Sequence, residues 1–363
     1  MHSAEFIQFF DGGTEPRHEL LGGKCASLVT MTAAGMRVPP GFAVTTALYD
    51  AFIAHSGIRA EIDGLLATLD LDDLDSVDAV SQHIRTAICS RKVPADLREQ
   101  VLAAFAELQS RFDEETPVAV RSSATAEDLP GASFAGQQDT YLWLVGAEAV
   151  LDHIRRCWAS LYTSRAILYR LKNEIPDEGL SMAVAVQKMV NARAAGVAIT
   201  MNPSTGDRSK ITIDASYGVG EMVVSGQVTP DNIVLDKVML SVVSQTLGDK
   251  HAELVPDFAA GTLVERPVED DRRDRCCLST DEVVAVAAMA KQAERHYGCP
   301  QDVEWAIDRD LPDGQNVLLL QSRPETVHSS KAVAVPQAPE IPARGGFDVA
   351  SLTSSLTSGL RRP

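Results

Sequence analysis

The sequence lacks several features that mark whole classes of proteins. Its 363 residues contain no apolar run near the roughly 20 residues that a membrane-spanning helix needs. The segment from Met1 to Asp11 shows no basic stretch followed by an apolar core, so the pattern predicts no secretory signal. We therefore expect a cytoplasmic protein that has no membrane partner.

Cysteines are few and show no metal-binding spacing. The six lie at positions 25, 89, 157, 276, 277 and 299, and none forms a pair of the zinc-site type. Cys276 and Cys277 are adjacent but do not form a C-x-x-C motif, so the pattern favours reduced thiols over a redox-active pair.

Positive charge is also scarce. The 33 lysines and arginines are outnumbered by 50 aspartates and glutamates, which gives a formal net charge of −17. This charge argues against non-specific binding to nucleic acid or to anionic lipid. A nucleotide site in such a chain needs local positive charge and a cation such as Mg2+ to hold a triphosphate. Length and an apolar fraction of 45% fit a globular protein of one large or two medium domains.

One stretch, Val118 to Thr140, has the composition of a phosphate-binding device. The apolar run Val118 to Val120 predicts a strand that delivers Arg121, Ser122 and Ser123 at its end, and the planar guanidinium of Arg121 suits a phosphate. Small residues then allow backbone N–H groups to approach an anion, namely Gly131, Ala132, Ser133, Ala135 and Gly136. The run Tyr141 to Val145 predicts a second strand that closes a hairpin over the loop. The alternative for these serines and glycines is an ordinary surface turn.

A second glycine-rich segment comes near the start of the chain. Gly22-Gly23-Lys24 precedes a helical pattern, which suggests a loop that aims amides and a lysine at an anion. The spacing is not that of a P-loop, so an exposed lysine at a helix start is the alternative.

The predicted secondary structure changes from helix to short strands after residue 180. A long amphipathic helix is predicted from the spacing of Val150, Ile154, Trp158, Leu161 and Leu168. Short strands follow, predicted at Met182 to Met189, Gly196 to Thr200, Lys210 to Ala215 and Asn232 to Leu235. This change suggests a second lobe.

The last motif combines carboxylates with an amide and an arginine. In a strand from Asp302 to Ile307, Asp302 and Glu304 share one face while the apolar residues between them pack on the other. Gln321 and Arg323 likewise share a face of the strand Val317 to Pro324. If the two strands pair, these oxygen ligands and the guanidinium converge in an arrangement suited to Mg2+ and triphosphate. Two edge strands with solvated polar faces are the alternative.

Taken in order, these blocks resemble the ATP-binding region of the phosphoenolpyruvate synthase and pyruvate, phosphate dikinase family. That family also includes rifampin phosphotransferase and phenylphosphate synthase, and the resemblance runs from about residue 18 to residue 327. It implies an α+β, two-lobed ATP-grasp fold. We expect an N-terminal lobe at 1–190, a C-terminal lobe at 191–328 and a flexible tail at 329–363.

The resemblance also implies the residues that bind phosphate. Three cationic side chains would act catalytically by neutralising phosphate charge, and these are Lys24, Arg121 and Arg323. The triphosphate would lie under a loop whose contacts are Ser133, Gly136, Gln137 and Thr140.

The base and the metal have implied ligands as well. Gln187 and Met189 would border adenine, and Glu221 would be a ribose-binding or metal-linked carboxylate. The residues expected to hold Mg2+ are Glu304 and Gln321, with Asp302 as a further metal-linked carboxylate. ATP and Mg2+ are thus the implied cofactors.

The family's reaction further requires a histidine that accepts phosphoryl from ATP, in a motif resembling T-x-G-G-x-x-x-H. None of the eight histidines here matches it, and Gly12-Gly13 with His18 has the wrong spacing. We therefore expect a phosphotransferase subunit that uses ATP, yielding AMP and phosphate, to phosphorylate a histidine on a separate partner subunit, as in phenylphosphate synthase acting on phenol.

Two other functions stay open from the sequence. One is an excised ATP-binding domain of phosphoenolpyruvate synthase or of rifampin phosphotransferase. The other is a non-catalytic ATP-sensing module, which the filled phosphate and metal positions make the weaker alternative.

Overall fold

The strands in the described part of the chain form three antiparallel sheets. A computed structural model describes residues 6–13, 15–70, 73–125, 139–173, 175, 179–326 and 328. These residues all belong to one compact unit, Met1–His328, and a second unit, Ser329–Pro363, lies outside the described part. Within the described part, no helix is both long and apolar enough to cross a membrane.

The strands follow one another along the chain from the N-terminus. They are β1 (Ile7–Phe9), β2 (Gly41–Val44), β3 (Val118–Ala124), β4 (Thr140–Leu144), β5 (Met182–Lys188), β6 (Ala192–Ile199), β7 (Lys210–Tyr217), β8 (Asp231–Asp236), β9 (Val242–Thr246), β10 (Ala252–Asp257), β11 (Thr262–Pro267), β12 (Gln301–Asp308) and β13 (Val317–Pro324).

The helices are interspersed with these strands. They are α1 (His18–Ala33), α2 (Thr46–Ser56), α3 (Ile58–Leu66), α4 (Leu74–Ser90), α5 (Ala95–Gln109), α6 (Ala147–Ala159), α7 (Ser164–Lys172), α8 (Glu221–Val224), α9 (Asp270–Arg273) and α10 (Thr280–Tyr297). A short 3-10 turn, Ser160–Tyr162, separates α6 from α7. The chain is therefore α+β, as its sequence predicts.

Two sheets carry most of the strands. The first has five strands in the order β1-β2-β5-β3-β4, and the second has six in the order β13-β12-β6-β7-β8-β9. Strands β10 and β11 form a separate two-stranded ribbon. In chain order, the last strand of the first sheet ends at Lys188 and the first strand of the second sheet begins at Ala192. The division into two lobes at residue 190 remains a prediction.

Each large sheet has its own apolar core. Trp158 of α6 stacks on Phe52 of α2 in the core of the first sheet, with ring centroids 4.9 Å apart. Trp305 of β12 lies in the core that α10 covers on the second sheet. A third cluster joins the two sheets and includes Ala119 of β3 and Ala306 of β12.

Local sequence explains how α10 begins and ends. The Ser279 side chain accepts a hydrogen bond from the Glu282 N–H, and the Glu282 carboxylate accepts one from the Ser279 N–H, which completes a capping box. Gly298 ends the helix in the left-handed conformation that glycine adopts most readily.

One aromatic contact connects β4 to the β10–β11 ribbon. Trp143 of β4 has a φ of +59°, which is unusual for a bulky side chain. Its ring lies edge-on to Phe258 with centroids 5.7 Å apart, although the Phe258 side chain is 71% exposed.

Strand β3 carries Arg121, Ser122 and Ser123 near its end, as predicted, because its backbone pairs with β5 as far as Ala124 opposite Met182. One sequence prediction is wrong in detail. The single long helix is broken, because Thr163 is extended and its side chain accepts a hydrogen bond from the Ala166 N–H, which starts α7 anew. Three predicted loop contacts, Ser133, Gly136 and Gln137, and the predicted tail at 329–363 lie outside the described residues.

Candidate functional site

A cleft opens between the first and the second sheet. The space between its walls amounts to about 810 Å³ when the solvent-open mouth is included. The predicted site residues that line it are Arg121, Thr140, Gln187, Met189, Glu221 and Glu304.

Arg121 joins the two sheets at this cleft. It lies on β3 of the first sheet, and its side chain is only 11% exposed. One guanidinium nitrogen, Nη2, donates to Glu304 Oε2 at 2.9 Å and to Gln321 Oε1 at 2.7 Å. The other, Nη1, donates to the carbonyl oxygen of Leu320 at 3.1 Å. All three acceptors belong to β12 and β13 of the second sheet, so Arg121 connects the two sheets by hydrogen bonds.

The β12–β13 hairpin sets the positions of these acceptors. Glu304 is the cross-strand partner of Gln321, and Asp302 is the partner of Arg323, which confirms the predicted antiparallel pairing. A bulge follows Glu304, a feature that commonly re-aims side chains next to functional sites. The intervening Val303, Trp305 and Ile307 are buried in the core on the opposite face, as the alternation predicts.

Asp302 and Arg323 form a second, more open pair. Arg323 Nε and Nη2 both donate to Asp302 Oδ2, at 2.9 and 2.7 Å, while the Arg323 side chain is 54% exposed. Burial raises the pKa of Asp302 from its ordinary value, and the carboxylates of Glu304 and Glu325 act in the same direction while Arg323 opposes them. Neither Asp302 nor Arg323 lines the cleft, but each lies two residues along its strand from a residue of the Arg121 cluster.

Lys24 lies at the end of β3 rather than in the cleft lining. Its ammonium donates to the carbonyl oxygen of Ser122 at 2.8 Å. The approach is close because Gly22 interrupts α1 with a φ of +61° and lies against Ser123. The Ser123 hydroxyl donates to Leu21 O and accepts from the Cys25 N–H, which fixes this turn on the strand. The predicted lysine and the predicted arginine are thus attached to the same strand.

The predicted edge for adenine lies on β5 and the residues after it. The Gln187 amide is buried and its Nε2 donates to Pro39 O at 3.0 Å. The Met189 N–H donates to Pro117 O at 2.9 Å. These bonds hold the segment against the preceding loops, so Gln187 and Met189 offer the cleft a fixed wall rather than a mobile side chain.

Lys188 is a charged residue of the cleft that the sequence reasoning missed. Its ammonium lies 3.4 Å from the carboxylate of Asp308, whose side chain is fully buried. Both chain neighbours, Gln187 and Met189, were assigned to the base, whereas Lys188 itself was given no role. A lysine inside an otherwise apolar strand end was the available signal.

Small residues on β6 shape the floor of the cleft. A Cβ built on Gly196 would come 1.9 Å from the carbonyl oxygen of Asp214, so this position of the sheet admits only glycine. Ala195 beside it also lines the cleft. Their small size leaves room above the sheet, and the run Ala194-Ala195-Gly196 could have indicated this.

Glu221 is the first residue of the short helix α8 and is exposed at the cleft. The preceding Gly218 has a φ of +72°, and a Cβ there would come 2.4 Å from Leu254 O. The chain from Gly218 to Glu221 therefore bends against β10 and places a carboxylate at the rim of the cleft.

The donor set at Arg121 fits a magnesium ion that is shared with a nucleotide. Among the residues the structure describes, no three histidine, cysteine, aspartate or glutamate side chains gather at one point. A carboxylate oxygen of Glu304 and an amide oxygen of Gln321 nevertheless converge on one nitrogen of Arg121. Mg2+ typically takes one or two protein oxygens together with substrate phosphates and waters, so this pair suits it.

Comparison with known proteins gives one consistent result. Residues 18–341 match the model of the pyruvate phosphate dikinase, AMP/ATP-binding domain family. The chain is 42% identical to a probable phosphoenolpyruvate synthase of Staphylothermus marinus, over 89% of this chain and 42% of that protein. It is 38% identical to the phosphoenolpyruvate synthase of Pyrococcus furiosus, over 91% of this chain and 45% of that protein.

The chain spans less than half the length of these two curated relatives. Among solved structures, that of the D-cycloserine synthetase DcsG overlaps 61% of this chain and 52% of its own at 14% identity, with a TM-score of 0.23 that supports no argument. The family match covers most of the sequence, including every described residue that was assigned to the site. The chain belongs to the pyruvate phosphate dikinase AMP/ATP-binding domain family.

Proposed function

We propose that the cleft binds MgATP between two ATP-grasp lobes and that the chain transfers phosphoryl from ATP to a histidine outside these 363 residues. The observation that carries this proposal is the convergence of Arg121, Glu304 and Gln321 from two different sheets at one side of the cleft, with both side-chain contacts of Arg121 Nη2 at 2.9 Å or less. Such a cluster offers a fixed cation and hard oxygen ligands to the same triphosphate.

Each residue has a distinct part in the proposed reaction. Lys24 of α1 and Arg121 of β3 would bind phosphate oxygens, and Arg323 would add positive charge from β13. Glu304 and Gln321 would hold Mg2+, which when bound neutralises phosphate charge and orients the triphosphate for in-line transfer. Phosphoryl transfer depends mainly on such positioning and charge stabilisation.

The reaction must balance over two acceptors. One phosphoryl group passes to the imidazole nitrogen of the histidine, and the other is released to water as inorganic phosphate, which leaves AMP. Relatives are named phosphoenolpyruvate synthases, so pyruvate is the first final acceptor to test, and phenol, as in phenylphosphate synthase, is the second. A separate subunit carrying the histidine and a cytoplasmic location belong to the same proposal.

The first test is nucleotide binding by the purified chain. Isothermal titration calorimetry with a non-hydrolysable ATP analogue and Mg2+ is expected to show one site. The variants Lys24→Met and Glu304→Gln should weaken binding at least about tenfold, the loss expected when a charge-assisted contact is removed. Lys210→Met is the matched control, because Lys210 pairs with Asp236 on β7 and β8 and does not line the cleft.

The second test follows the phosphoryl group. ATP labelled at the β or γ position is incubated with the chain, Mg2+ and a candidate histidine-bearing polypeptide. Acid-labile, base-stable label on that polypeptide and formation of AMP, both dependent on this chain, are expected. Tight ATP binding without AMP formation, using a partner shown to be active with a relative's ATP-binding domain, would contradict the transfer and favour the sensing module.

A further inference from the structure

We propose that Arg121 is a built-in substitute for the metal: its guanidinium occupies the point between Glu304 and Gln321 until the phosphates of a nucleotide accept it and Mg2+ takes its place. The inference rests on the proposed function and concerns the order in which this same site is filled. Its consequence is that free Mg2+ is excluded from the nucleotide-free cleft and that metal and nucleotide bind together.

The geometry of the cluster brings one nitrogen to the point that a metal would need. A single atom, Arg121 Nη2, donates to both oxygens, Glu304 Oε2 at 2.9 Å and Gln321 Oε1 at 2.7 Å. The two acceptors are direct cross-strand partners on β12 and β13, so the hairpin itself holds them facing one point. Mg2+ binds oxygen at about 2.1 Å, so the ion and this nitrogen cannot both occupy that point.

The charge of the guanidinium also opposes a metal. The guanidinium carries a positive charge spread over a planar fork of donors. Its side chain is 11% exposed and that of Glu304 is 28% exposed, so water screens the pair only in part. A divalent cation would meet both the occupied oxygens and the repulsion of a neighbouring positive charge.

The cleft offers the guanidinium another place to bind once nucleotide arrives. Arg121 belongs to β3, whereas all three acceptors described above belong to the other sheet, and its side chain lines the cleft. A triphosphate in the cleft would offer it oxygens that match a planar fork of donors. Movement of one side chain would then release Glu304 and Gln321 for the metal that accompanies the nucleotide.

The outer pair lacks these properties. Asp302 and Arg323 lie on the same hairpin, and Arg323 is 54% exposed. Solvent screens this pair, and both of its residues lie on one hairpin, so its exchange would not couple metal to nucleotide to the same degree. The coupling is therefore assigned to Arg121.

Linkage gives the proposal a measurable form. If nucleotide frees the metal ligands, nucleotide must raise metal affinity, and metal must raise nucleotide affinity by the same factor. Coupling of this kind commonly amounts to about 5- to 150-fold. The coupling should fall when position 121 carries no charge, because the ligands are then available before the nucleotide arrives.

The experiment uses Mn2+ as the probe, since it prefers the same oxygen ligands and free Mn2+ is counted by electron paramagnetic resonance. Mn2+ is titrated into the full chain without nucleotide and then with a saturating non-hydrolysable ATP analogue. The proteins compared are the wild type, Arg121→Met, Arg121→Lys and the control Lys210→Met. Circular dichroism and thermal unfolding are measured for each.

Without nucleotide, we expect Arg121→Met to bind Mn2+ at least about tenfold more tightly than the wild type, which is within the usual range of such coupling. Arg121→Lys keeps the positive charge and should resemble the wild type, as should Lys210→Met. Adding Glu304→Gln to Arg121→Met should abolish the gained Mn2+ site. With the analogue present, the complex of wild type and analogue should bind Mn2+ more tightly than the analogue alone binds Mn2+ in solution.

Equal Mn2+ affinity of the wild type and Arg121→Met without nucleotide would overturn the proposal. Mn2+ binding by the nucleotide-free wild type as tight as in the ternary complex would also overturn it, and this result needs no variant to fold. In either case, intact binding of the ATP analogue would leave the proposed function standing. A wild type that binds no ATP analogue would instead refute the proposed function and this inference with it.

Discussion

Gly22 lies directly against Ser123: a Cβ built on Gly22 would come 2.4 Å from the Ser123 carbonyl oxygen. The same glycine has a φ of +61°, which breaks α1 at the point where the chain turns onto β3. Lys24 follows two residues later and donates to Ser122 O. The position of the predicted phosphate-binding lysine therefore depends on the absence of a side chain at residue 22.

We predict that Gly22→Ala lowers the free energy of unfolding by more than Gly35→Ala does. Both glycines have positive φ, but a Cβ on Gly35 would meet nothing within 4 Å, so that variant measures only the backbone cost, about 1–2 kcal/mol. Gly22→Ala adds a backbone collision and should also weaken binding of the ATP analogue. Urea unfolding and calorimetry give the two quantities, and equal losses in the two variants would contradict the packing argument.

The most deeply buried ion pair of the described residues is that of Lys250 with Asp231. Both side chains are fully buried, 2.6 Å apart, and Asp231 also accepts from the N–H groups of Gly248 and Cys277. Removing one partner leaves a buried charge uncompensated, so Lys250→Met and Asp231→Asn should each cost about 3–5 kcal/mol. The double variant should cost less than the sum. The more exposed Lys210 provides the comparison, with Lys210→Met expected to cost under about 1 kcal/mol.

Cys276 should be the cysteine that alkylates fastest at neutral pH. A hydrogen bond with the Cys277 thiol, together with one from the Leu278 N–H, lowers the pKa of Cys276 to about 7 although burial opposes the shift. Its thiolate fraction, and hence its rate, should fall as the pH drops through about 7. Cys89 is also only partly buried, but burial raises its pKa, so it serves as the internal control.

Peptide mass spectrometry after brief iodoacetamide treatment measures both cysteines in one sample. Cys277→Ala removes the donating thiol and should slow the reaction of Cys276 at pH 7. Faster labelling of Cys89 than of Cys276 in the native protein would show that the hydrogen bond does not activate the thiol.

As the pH falls, metal binding should begin to weaken at a higher pH than it would if Asp302 had the ordinary pKa of an aspartate. Burial raises the pKa of Asp302, so its carboxylate takes up a proton at a higher pH than in the unfolded chain. As pH falls through that raised value, Asp302 loses the charge that attracts a cation, and affinity for Mn2+ with the ATP analogue should decline. Asp302→Asn should have weaker binding at pH 7 and a flatter pH profile. Identical profiles for the two proteins would remove Asp302 from the metal site.

The raised pKa of Asp302 also determines the direction in which this residue makes the stability of the fold depend on pH. Between the ordinary and the raised pKa, the native state binds more protons at Asp302 than the unfolded state does, so this group's contribution favours folding less as pH rises through that window. Replacement by asparagine should remove that component from the pH dependence of unfolding.

The β12–β13 hairpin was predictable because one of its faces is buried. Val303, Trp305 and Ile307 could only lie on the core side, which placed Asp302 and Glu304 on the other side with period two. Pairing with the next apolar run then brought Gln321 opposite Glu304. What no pattern indicated is that Arg121, nearly two hundred residues away, binds both of them.

Weakly apolar strands were harder to predict than this hairpin. Strands β9, β10 and β11 were not among the predicted strands, since all five residues of β9 are exposed and β10 contains Pro256, a residue type that argues against a strand. The role of Lys188 was missed because its partner, Asp308, is distant in sequence.

The contact of Trp143 with Phe258 gives the protein a fluorescent side chain at the junction of β4 and the β10–β11 ribbon. Trp158 and Trp305 are fully buried in the two sheet cores, whereas Trp143, itself 5% exposed, packs against a ring that is 71% exposed. Trp143 also follows Leu142, which lines the cleft, on the same strand. We therefore expect tryptophan emission to change if a ligand in the cleft shifts β4 relative to the ribbon.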